Sequence, residues 1–112
     1  MTVKASRAKP RLTVEQLERA AECLKVLAHP QRLHAVQLLL ARQYSVGELA
    51  EACGVPSAAM SEHLRLMQRC GFLACIKEGR HAYYEVIEPH LADILACLES
   101  KFCNATQRQG RP

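Results

Sequence analysis

The spacing of apolar residues predicts two helices in the first part of the chain. The first is expected to run from Thr13 to about Ala28, with a capping-box spacing at its start and a wide apolar stripe of Leu17, Ala20, Ala21, Cys23, Leu24 and Leu27. A stripe this wide predicts packing against more than one neighbour. Pro30 disfavours helical backbone at His29 and suits the first turn of a second helix, which should reach about Arg42.

The stretch Val46–Leu64 is predicted to form two short helices joined by a tight turn. Ser45 is placed to cap the first helix, and Gly54 lies at the turn because glycine adopts positive φ without steric cost. Ser57 is the expected N-cap of the second helix, which should end near Cys70. This second helix has an apolar and a polar side, Met60, Leu64 and Met67 against Ser57, Ser61, Glu62 and Arg65. The arrangement is typical of a helix-turn-helix, in which one face packs and the other enters a DNA major groove.

A hairpin and a final helix complete the predicted order of elements. Strand character over Phe72–Glu78 and Ala82–Ile87, joined by a turn with a basic tip, predicts a two-stranded wing. The last helix should open at Glu88 and reach about Asn104 or Gln107, with an apolar seam of Leu91, Leu95, Leu98 and Phe102. The expected fold is therefore mainly α with a two-stranded β wing. In so small a domain, we expect the seam to pack against the first helix or a second subunit.

Length and charge add a domain division to this order of elements. A chain of 112 residues with 49% hydrophobic residues is expected to form one domain. We divide it into a flexible basic arm (residues 1–11), a winged-helix domain (residues 12–106) and a disordered tail (residues 107–112). The arm either contacts phosphate or serves only solubility. The net charge of +4 and pI of about 8.8 are compatible with a polyanionic partner.

The sequence also predicts a compartment and excludes several classes of function. It has no apolar run of transmembrane length and no signal peptide, so a cytoplasmic protein without membrane association is expected. Six cysteines in that compartment are not expected to form a disulfide framework, and they lack the paired CxxC spacing of structural zinc. No phosphate loop, metalloprotease motif or activated cysteine is present, so an enzyme, including a small thiol enzyme, is not expected.

Three stretches together resemble the ArsR/SmtB family of small winged-helix repressors. They are LAHPQRLHAVQLLL, SVGELAEACGVPSAAMSEHLRLMQRCGFL and KEGRHAYYEV, and the match covers roughly Ala20 to Leu98. The resemblance implies a homodimer through the first and last helices, with two recognition helices in successive major grooves of an imperfect palindrome. It also implies repression until a metal ion, metalloid or reactive sulfur or oxygen species weakens DNA binding, with no cofactor required.

The resemblance places DNA contacts on the recognition helix and on the wing. The matching positions are Ser57, Ser61, Glu62, His63 and Arg65 on the helix, with Lys77, Arg80 and His81 on the wing. Alternatives remain open for three of them. Ser57 caps its helix, contacts phosphate, or does both. His63 either hydrogen-bonds within the protein or contacts phosphate, and Glu62 either accepts from a cytosine amino group or is simply solvated.

Two inducer sites that the resemblance suggests lack their ligands in this chain. The family's arsenic and cadmium site uses closely spaced cysteines before the turn, but the matching SVGEL has none. The zinc-type site uses an Asp-x-His start and a later His pair. Here Glu88, His90 and Asp93 are present, but no histidine follows them.

Three cysteines remain as candidates for an inducer site, because they lie on the helices expected to form the dimer: Cys23, Cys97 and Cys103. Cys97 and Cys103 cannot share one ion on a regular helix, since six residues rise about 9 Å. They require an unwound last turn, or a ligand from Cys23 or the partner subunit. Soft thiolates favour As(III), Cu(I), Cd or Hg, although the same group can form a disulfide or persulfide, or only pack. Packing is expected for Cys53, Cys70 and Cys75.

A functional alternative of another class also follows from the fold. A winged helix can serve as a protein-interaction module with no role in DNA binding. Operator binding by variants of Ser61 and Arg65 distinguishes this alternative from the repressor hypothesis.

Overall fold

The computed structural model describes residues 9–110, and only the backbone of residues 104–110. Its elements, in chain order, are α1 (Val14–Leu27), α2 (Pro30–Leu39), β1 (Tyr44–Ser45), α3 (Val46–Cys53), α4 (Ser57–Arg69), β2 (Leu73–Glu78), β3 (His81–Val86) and α5 (Leu91–Gly110). The predicted order of helices, helix-turn-helix, wing and final helix is confirmed. The short strand β1 was not predicted, because two residues carry no readable alternation.

Two predicted helix starts are confirmed by reciprocal capping boxes. At α1, Gln16 N donates to Thr13 Oγ1 at 3.1 Å and Thr13 N donates to Gln16 Oε1 at 2.9 Å. Ser45 and Glu48 make the same pair of hydrogen bonds, at 3.1 and 2.9 Å, at the start of α3. Each box satisfies backbone donors that would otherwise lack a helical acceptor.

The prediction that Ser57 caps α4 is wrong. Met60 N already donates to Pro56 O at 3.0 Å, so the helix begins one residue earlier than expected. Pro56 holds the N-cap position in extended backbone, and no side chain caps this end. The Ser57 hydroxyl therefore lies in the first turn of α4 rather than at its cap.

Two predicted helix ends also differ from the structure. α2 ends at Leu39 instead of near Arg42, because Ala41 N and Arg42 N both donate to Leu38 O and tighten the chain into a turn. α5 continues to Gly110, so residues 107–110 of the predicted tail are helical. No proline or glycine precedes Gly110 in that segment to interrupt the helix. Residues 1–8 of the predicted arm and residues 111–112 lie outside the described part of the chain.

The wing is the larger part of a three-stranded antiparallel sheet with strand order β1-β3-β2. β2 and β3 pair from Leu73 opposite Val86 to Glu78 opposite His81, which leaves a two-residue turn. Gly79 supplies the positive φ of 62° that this turn requires. β1 pairs with β3 at Tyr44 opposite Tyr84, so the sheet joins the base of the wing to the start of α3.

The core lies between α2, α3, α4, the base of the wing and the first turns of α5. Its largest fully buried side chains are Val36, Leu49, Met60, Leu64, Met67, Leu73 and Leu91. The apolar stripe of α1 contributes mainly Leu27, whereas Leu17 and Leu24 remain 50% and 56% exposed. Within the described residues, no helix combines the length and apolar character needed to cross a membrane.

Candidate nucleic-acid interface and thiol groups

The turn between α3 and α4 fixes how the second helix is presented. Gly54 adopts φ 69° and ψ 35°, and Val55 N donates back to Ala50 O at 3.0 Å, which closes the end of α3. Leu49 is fully buried beneath this turn. The inner face of α4 is also fully buried, through Met60, Leu64 and Met67. The opposite face of α4 must therefore point away from the core.

Three of the predicted DNA-reading residues form one polar cluster on that outer face. Arg65 Nη1 donates to Glu62 Oε1, and Arg65 Nη2 donates to Ser61 Oγ at 3.4 Å. Arg65 and Glu62 are both about half exposed. The guanidinium thus lies along the helix surface with its charge partly balanced, and a DNA phosphate would compete with Glu62 for it.

Ser57 lies beside this cluster in the exposed first turn of α4. The first backbone N–H groups of a helix lack helical acceptors and carry the positive end of its dipole. With no side chain capping this end of α4, Ser57 and the neighbouring N–H groups are suitably placed for a phosphate.

His63 is used to hold the recognition helix in place. Arg32 Nε donates to His63 Nδ1 at 3.0 Å, and Arg32 Nη1 donates to Val26 O at 3.0 Å. The ring also lies 4.6 Å from that of His29, whose Nδ1 accepts from Gln31 N and caps α2. Burial lowers the pKa of His63, and the charge of Arg32 lowers it further. Neutral His63 therefore joins α4 to α2. Of the two roles considered for this residue, the structure contains the hydrogen bond within the protein.

Arg32 is a positioning residue that sequence reasoning missed. Its guanidinium connects the end of α1, the start of α2 and the middle of α4 through the two hydrogen bonds described above. The signal in the sequence was only its place in the HPQR corner. Its partner His63 is 31 residues away, so no local spacing pointed to the contact.

The wing presents its basic residues at the end of the hairpin remote from the core. Lys77, Arg80 and His81 are all exposed, with Arg80 in the turn and His81 at the start of β3. At the base of the hairpin, Tyr84 is buried opposite Tyr44 of β1. Apart from His63, the predicted DNA contacts thus form two patches, one on α4 and one at the wing tip.

The six cysteines occupy different environments. Cys97 and Cys103 are exposed on α5, and Cys23 is half-buried on α1. Cys53 and Cys75 are half-buried and pack against the core, as expected. Burial raises the pKa of the Cys53 thiol.

Cys70 is also half-buried, at the end of α4. Its pKa is raised to about 11 by burial, with further contributions from a side-chain hydrogen bond with Cys23 and from the charge of that neighbour. Cys75 has a different partner, since it raises the pKa of the buried Tyr84 alongside burial itself.

The described residues contain no group of three or more His, Cys, Asp or Glu side chains placed to hold a metal ion. His90 Nδ1 lies 2.8 Å from Glu88 Oε2, and this hydrogen bond raises the pKa of His90. Two ligands do not complete a zinc site of the type that the resemblance suggested.

Cys103 lines an open apolar cleft of about 300 Å³ between α2 and α5, together with Leu33 and Phe102.

Comparison with known proteins shows the family. Residues 29–74 match the family model described as bacterial regulatory protein, arsR family. Over 77 residues the chain is 38% identical to the uncharacterized HTH-type transcriptional regulator Rv0081 of Mycobacterium tuberculosis, which covers 68% of each protein. The chain belongs to the ArsR family. As a member it is a transcriptional regulator with a helix-turn-helix, not an enzyme.

Further relatives and solved structures agree with this membership. A biofilm growth-associated repressor of Xylella fastidiosa is 30% identical over 98 residues, which covers 84% of this chain and 86% of that protein. The crystal structure of M. tuberculosis Rv0081 superposes with a TM-score of 0.74 at 30% identity, covering 87% of this chain and 98% of that one. The repressor BigR from X. fastidiosa superposes with a TM-score of 0.69 at 31% identity, covering 82% and 98%. This chain therefore has the winged helix-turn-helix fold.

Proposed function

We propose that this ArsR-family protein is a sequence-specific DNA-binding repressor of transcription that acts in the cytoplasm as a homodimer. The observation that carries the proposal is the geometry of α4. Its buried stripe of Met60, Leu64 and Met67 fixes an outer face on which Ser61, Glu62 and Arg65 form a polar cluster. A helix presented in this way is the reading element of helix-turn-helix proteins. Two relatives that are named as repressors support repression as the effect on transcription.

The homodimer is proposed from the apolar surface that one chain leaves exposed. Leu17 and Leu24 on α1 are at least half exposed, and Ile94 and Phe102 on α5 are also accessible. Burying such surface contributes about 25 cal/mol per Å². A two-fold dimer through α1 and α5 removes these side chains from water and sets the distance between two copies of α4. That distance must match half-sites about 34 Å apart in B-DNA.

In the proposed complex the two patches of one subunit have different tasks. Ser61, Glu62 and Arg65 face the base edges and the adjoining backbone of the major groove, while Ser57 contacts a phosphate at the helix start. Lys77, Arg80 and His81 contact phosphates beside the groove. Each phosphate neutralised should steepen the dependence of log K on log salt concentration by about 0.9.

We further propose release by an inducer that reacts with thiols, with a soft metal or metalloid ion such as As(III) favoured over disulfide or persulfide formation. Supporting this, Cys23, Cys97 and Cys103 lie on α1 and α5, the helices that carry the exposed apolar surface, and Cys97 and Cys103 are open to solvent. The inducer would favour a dimer in which the two α4 helices no longer match the half-sites. A coupling free energy of about 1–3 kcal/mol is sufficient for an appreciable loss of occupancy.

The DNA-binding proposal is tested by selecting the operator from a randomised duplex pool and measuring affinity by fluorescence anisotropy. Arg65→Ala and Ser61→Ala should each weaken operator binding, and Arg65→Ala by about tenfold or more, the effect of a lost charged contact. Arg19→Ala removes an arginine from the exposed surface of α1 and is the matched control. Unchanged binding by both α4 variants would favour the protein-interaction alternative.

The inducer proposal requires a second titration on the reduced protein bound to that operator. As(III), Cd(II), Zn(II), persulfide and peroxide are added separately to the wild type and to single Ser variants of Cys23, Cys97 and Cys103. Release by As(III) or Cd(II) that is lost in these variants supports the favoured chemistry. Release by persulfide or peroxide alone supports the sulfur or redox alternative, and release by none of the five contradicts both.

A further inference from the structure

We propose that protons weaken operator binding by this protein, because His63 holds the recognition helix in position only while its ring is neutral. The inference rests on the DNA-binding function proposed above. Its structural basis is a group of three side chains at the contact between α2 and α4, which we call the histidine cluster: His29, Arg32 and His63. Opening of this cluster in mild acid would loosen the orientation of α4.

The hydrogen bond between Arg32 and His63 fixes the protonation state of the imidazole. Arg32 Nε donates to His63 Nδ1 at 3.0 Å. A guanidinium has no acceptor, so Nδ1 must offer its lone pair, and the neutral ring carries its proton on Nε2. A second proton taken from solvent would bind Nδ1 and turn it into a donor. Two donors and two positive charges would then face each other, and the contact must open.

His29 is subject to the same constraint from a different donor. Its Nδ1 accepts from Gln31 N at 3.1 Å and caps α2, and its ring centroid lies 4.6 Å from that of His63. The end of α1 contributes a neutral group to the cluster, because Val26 O accepts from Arg32 Nη1 at 3.0 Å. Protonation of either ring would therefore add a cation beside Arg32 and remove a hydrogen bond at this contact.

The surroundings of His63 favour its neutral form at neutral pH. Burial lowers the pKa of His63, and the charges of Arg32 and His29 lower it further. Glu62, on α4 itself, is the acidic group that opposes them, and it already pairs with Arg65 on the outer face. His63 should consequently remain neutral down to pH 6.5 and take up its proton below that value.

The position of His63 within α4 explains why opening of the cluster would affect DNA binding. His63 lies between Glu62 of the outer polar cluster and the fully buried Leu64. Its hydrogen bond connects α4 to a residue 31 positions away on α2. Without this bond the inner face of α4 is held by apolar contacts, which are not directional. The outer face would then be presented to the major groove in a less fixed orientation.

The test is the operator affinity of the full-length chain, measured by fluorescence anisotropy between neutral pH and about pH 5.5 at constant ionic strength. Wild type should lose affinity by about fivefold or more, the lower range of allosteric coupling. Direct contacts predict the opposite, since protonated histidines beside phosphates strengthen binding. His63→Asn places a neutral amide oxygen near the position of Nδ1, so it should bind like wild type at neutral pH and lose little affinity in acid. His34→Asn, on α2 outside the cluster, is the matched control and should follow wild type.

Arg32→Ala is a second variant that removes the donor instead of the acceptor. It should weaken operator binding at neutral pH and reduce the further loss in acid. Because Arg32 is proposed to position α4 and not to contact DNA, the slope of log K against log salt concentration should stay unchanged. A slope reduced by about 0.9 would identify a direct phosphate contact and overturn the positioning role.

Three further results would overturn the proposal. They are an operator affinity of wild type that stays constant or rises in acid, a loss in His63→Asn equal to that of wild type, and unfolding over the same pH range by circular dichroism. Absence of specific DNA binding at neutral pH would instead overturn the repressor proposal. The histidine cluster is then tested by the NMR shifts of the ring nitrogens, and a proton on Nδ1 of His63 at neutral pH would overturn it.

Discussion

α4 and α1 both carry an apolar stripe at helical spacing, but only α4 buries its stripe within the chain. Met60, Leu64 and Met67 of α4 are fully buried, whereas Leu17 and Leu24 of α1 stay largely exposed. The difference separates two tasks. The packing of one chain determines which face of α4 points outward. The partner of α1 is not determined by that packing, and in the proposed homodimer this partner sets the distance between the two copies of α4. In the proposed dimer, the distance between the two copies of α4 can therefore change without disturbing the packing of α4 within each chain.

The largest expected effect comes from a cavity under the recognition helix. Leu64→Ala should lower the free energy of unfolding by about 2–5 kcal/mol, because it removes a fully buried side chain. Leu17→Ala, measured by urea unfolding at protein concentrations too low for dimers, is the matched control and should change it by less than about 0.5 kcal/mol. Equal losses in the two variants would contradict the contrast between the helices.

A charge on the exposed stripe of α1 should act on assembly instead of folding. Leu24→Glu should raise the dissociation constant of the homodimer by about tenfold or more, since a carboxylate would be buried in an apolar contact. Sedimentation equilibrium measures this change, and the circular dichroism of the monomer should be unaltered. Glu22→Gln at a neighbouring exposed position provides the control. A dimer as tight as wild type would place the interface elsewhere.

Glu62 provides a smaller effect that distinguishes three roles: a partner that balances Arg65, a base contact, and a solvated residue. If it only balances Arg65, Glu62→Gln should release the guanidinium for a phosphate and strengthen binding to random-sequence DNA, with a salt slope steeper by about 0.9. If it accepts from a cytosine amino group, the same variant should instead weaken operator binding relative to random DNA. Anisotropy over a series of salt concentrations on both duplexes measures both quantities. Unchanged affinity for both would leave Glu62 a solvated residue.

The smallest expected effect is a pH dependence of stability from His63. Its pKa is lowered in the folded state, below the ordinary value of 6.5, by burial and by Arg32. The unfolded chain therefore binds more protons than the folded one as the pH falls below 6.5, and the contribution of neutral His63 to stability is progressively lost. Urea unfolding between neutral and mildly acidic pH should show this loss in wild type and less of it in His63→Gln.

His90 should behave in the opposite way and is the control for this prediction. Glu88 raises its pKa in the folded state, so its contribution is present below 6.5 and declines as the pH rises through the raised value. His90→Gln should therefore remove a gain in stability that wild type shows as the pH falls from the raised pKa to 6.5, and should leave the loss at lower pH unchanged. An acid-side profile that His63→Gln leaves unchanged would show that the contact with Arg32 does not depend on protonation.

The sequence by itself determined the features that depend on neighbours along the chain. The Thr13–Gln16 capping box and the cap at Ser45 were predicted because a cap and the backbone that it contacts lie within three residues of each other. The turn at Gly54 was readable for a similar reason, since its positive φ favours glycine. The alternation of the wing strands and the inner stripe of α4 were likewise visible as periods of two and of three to four residues.

Only the tertiary structure decided which distant residues meet and which apolar faces are left over. Arg32 meets His63 because α2 crosses α4 at a particular point, and no local period encodes that crossing. The role of Ser57 also changed, since the carbonyl of Pro56 begins the helix before it. The sequence predicted the apolar stripe of α1. It did not predict that the stripe is exposed, because burial depends on where every other element packs.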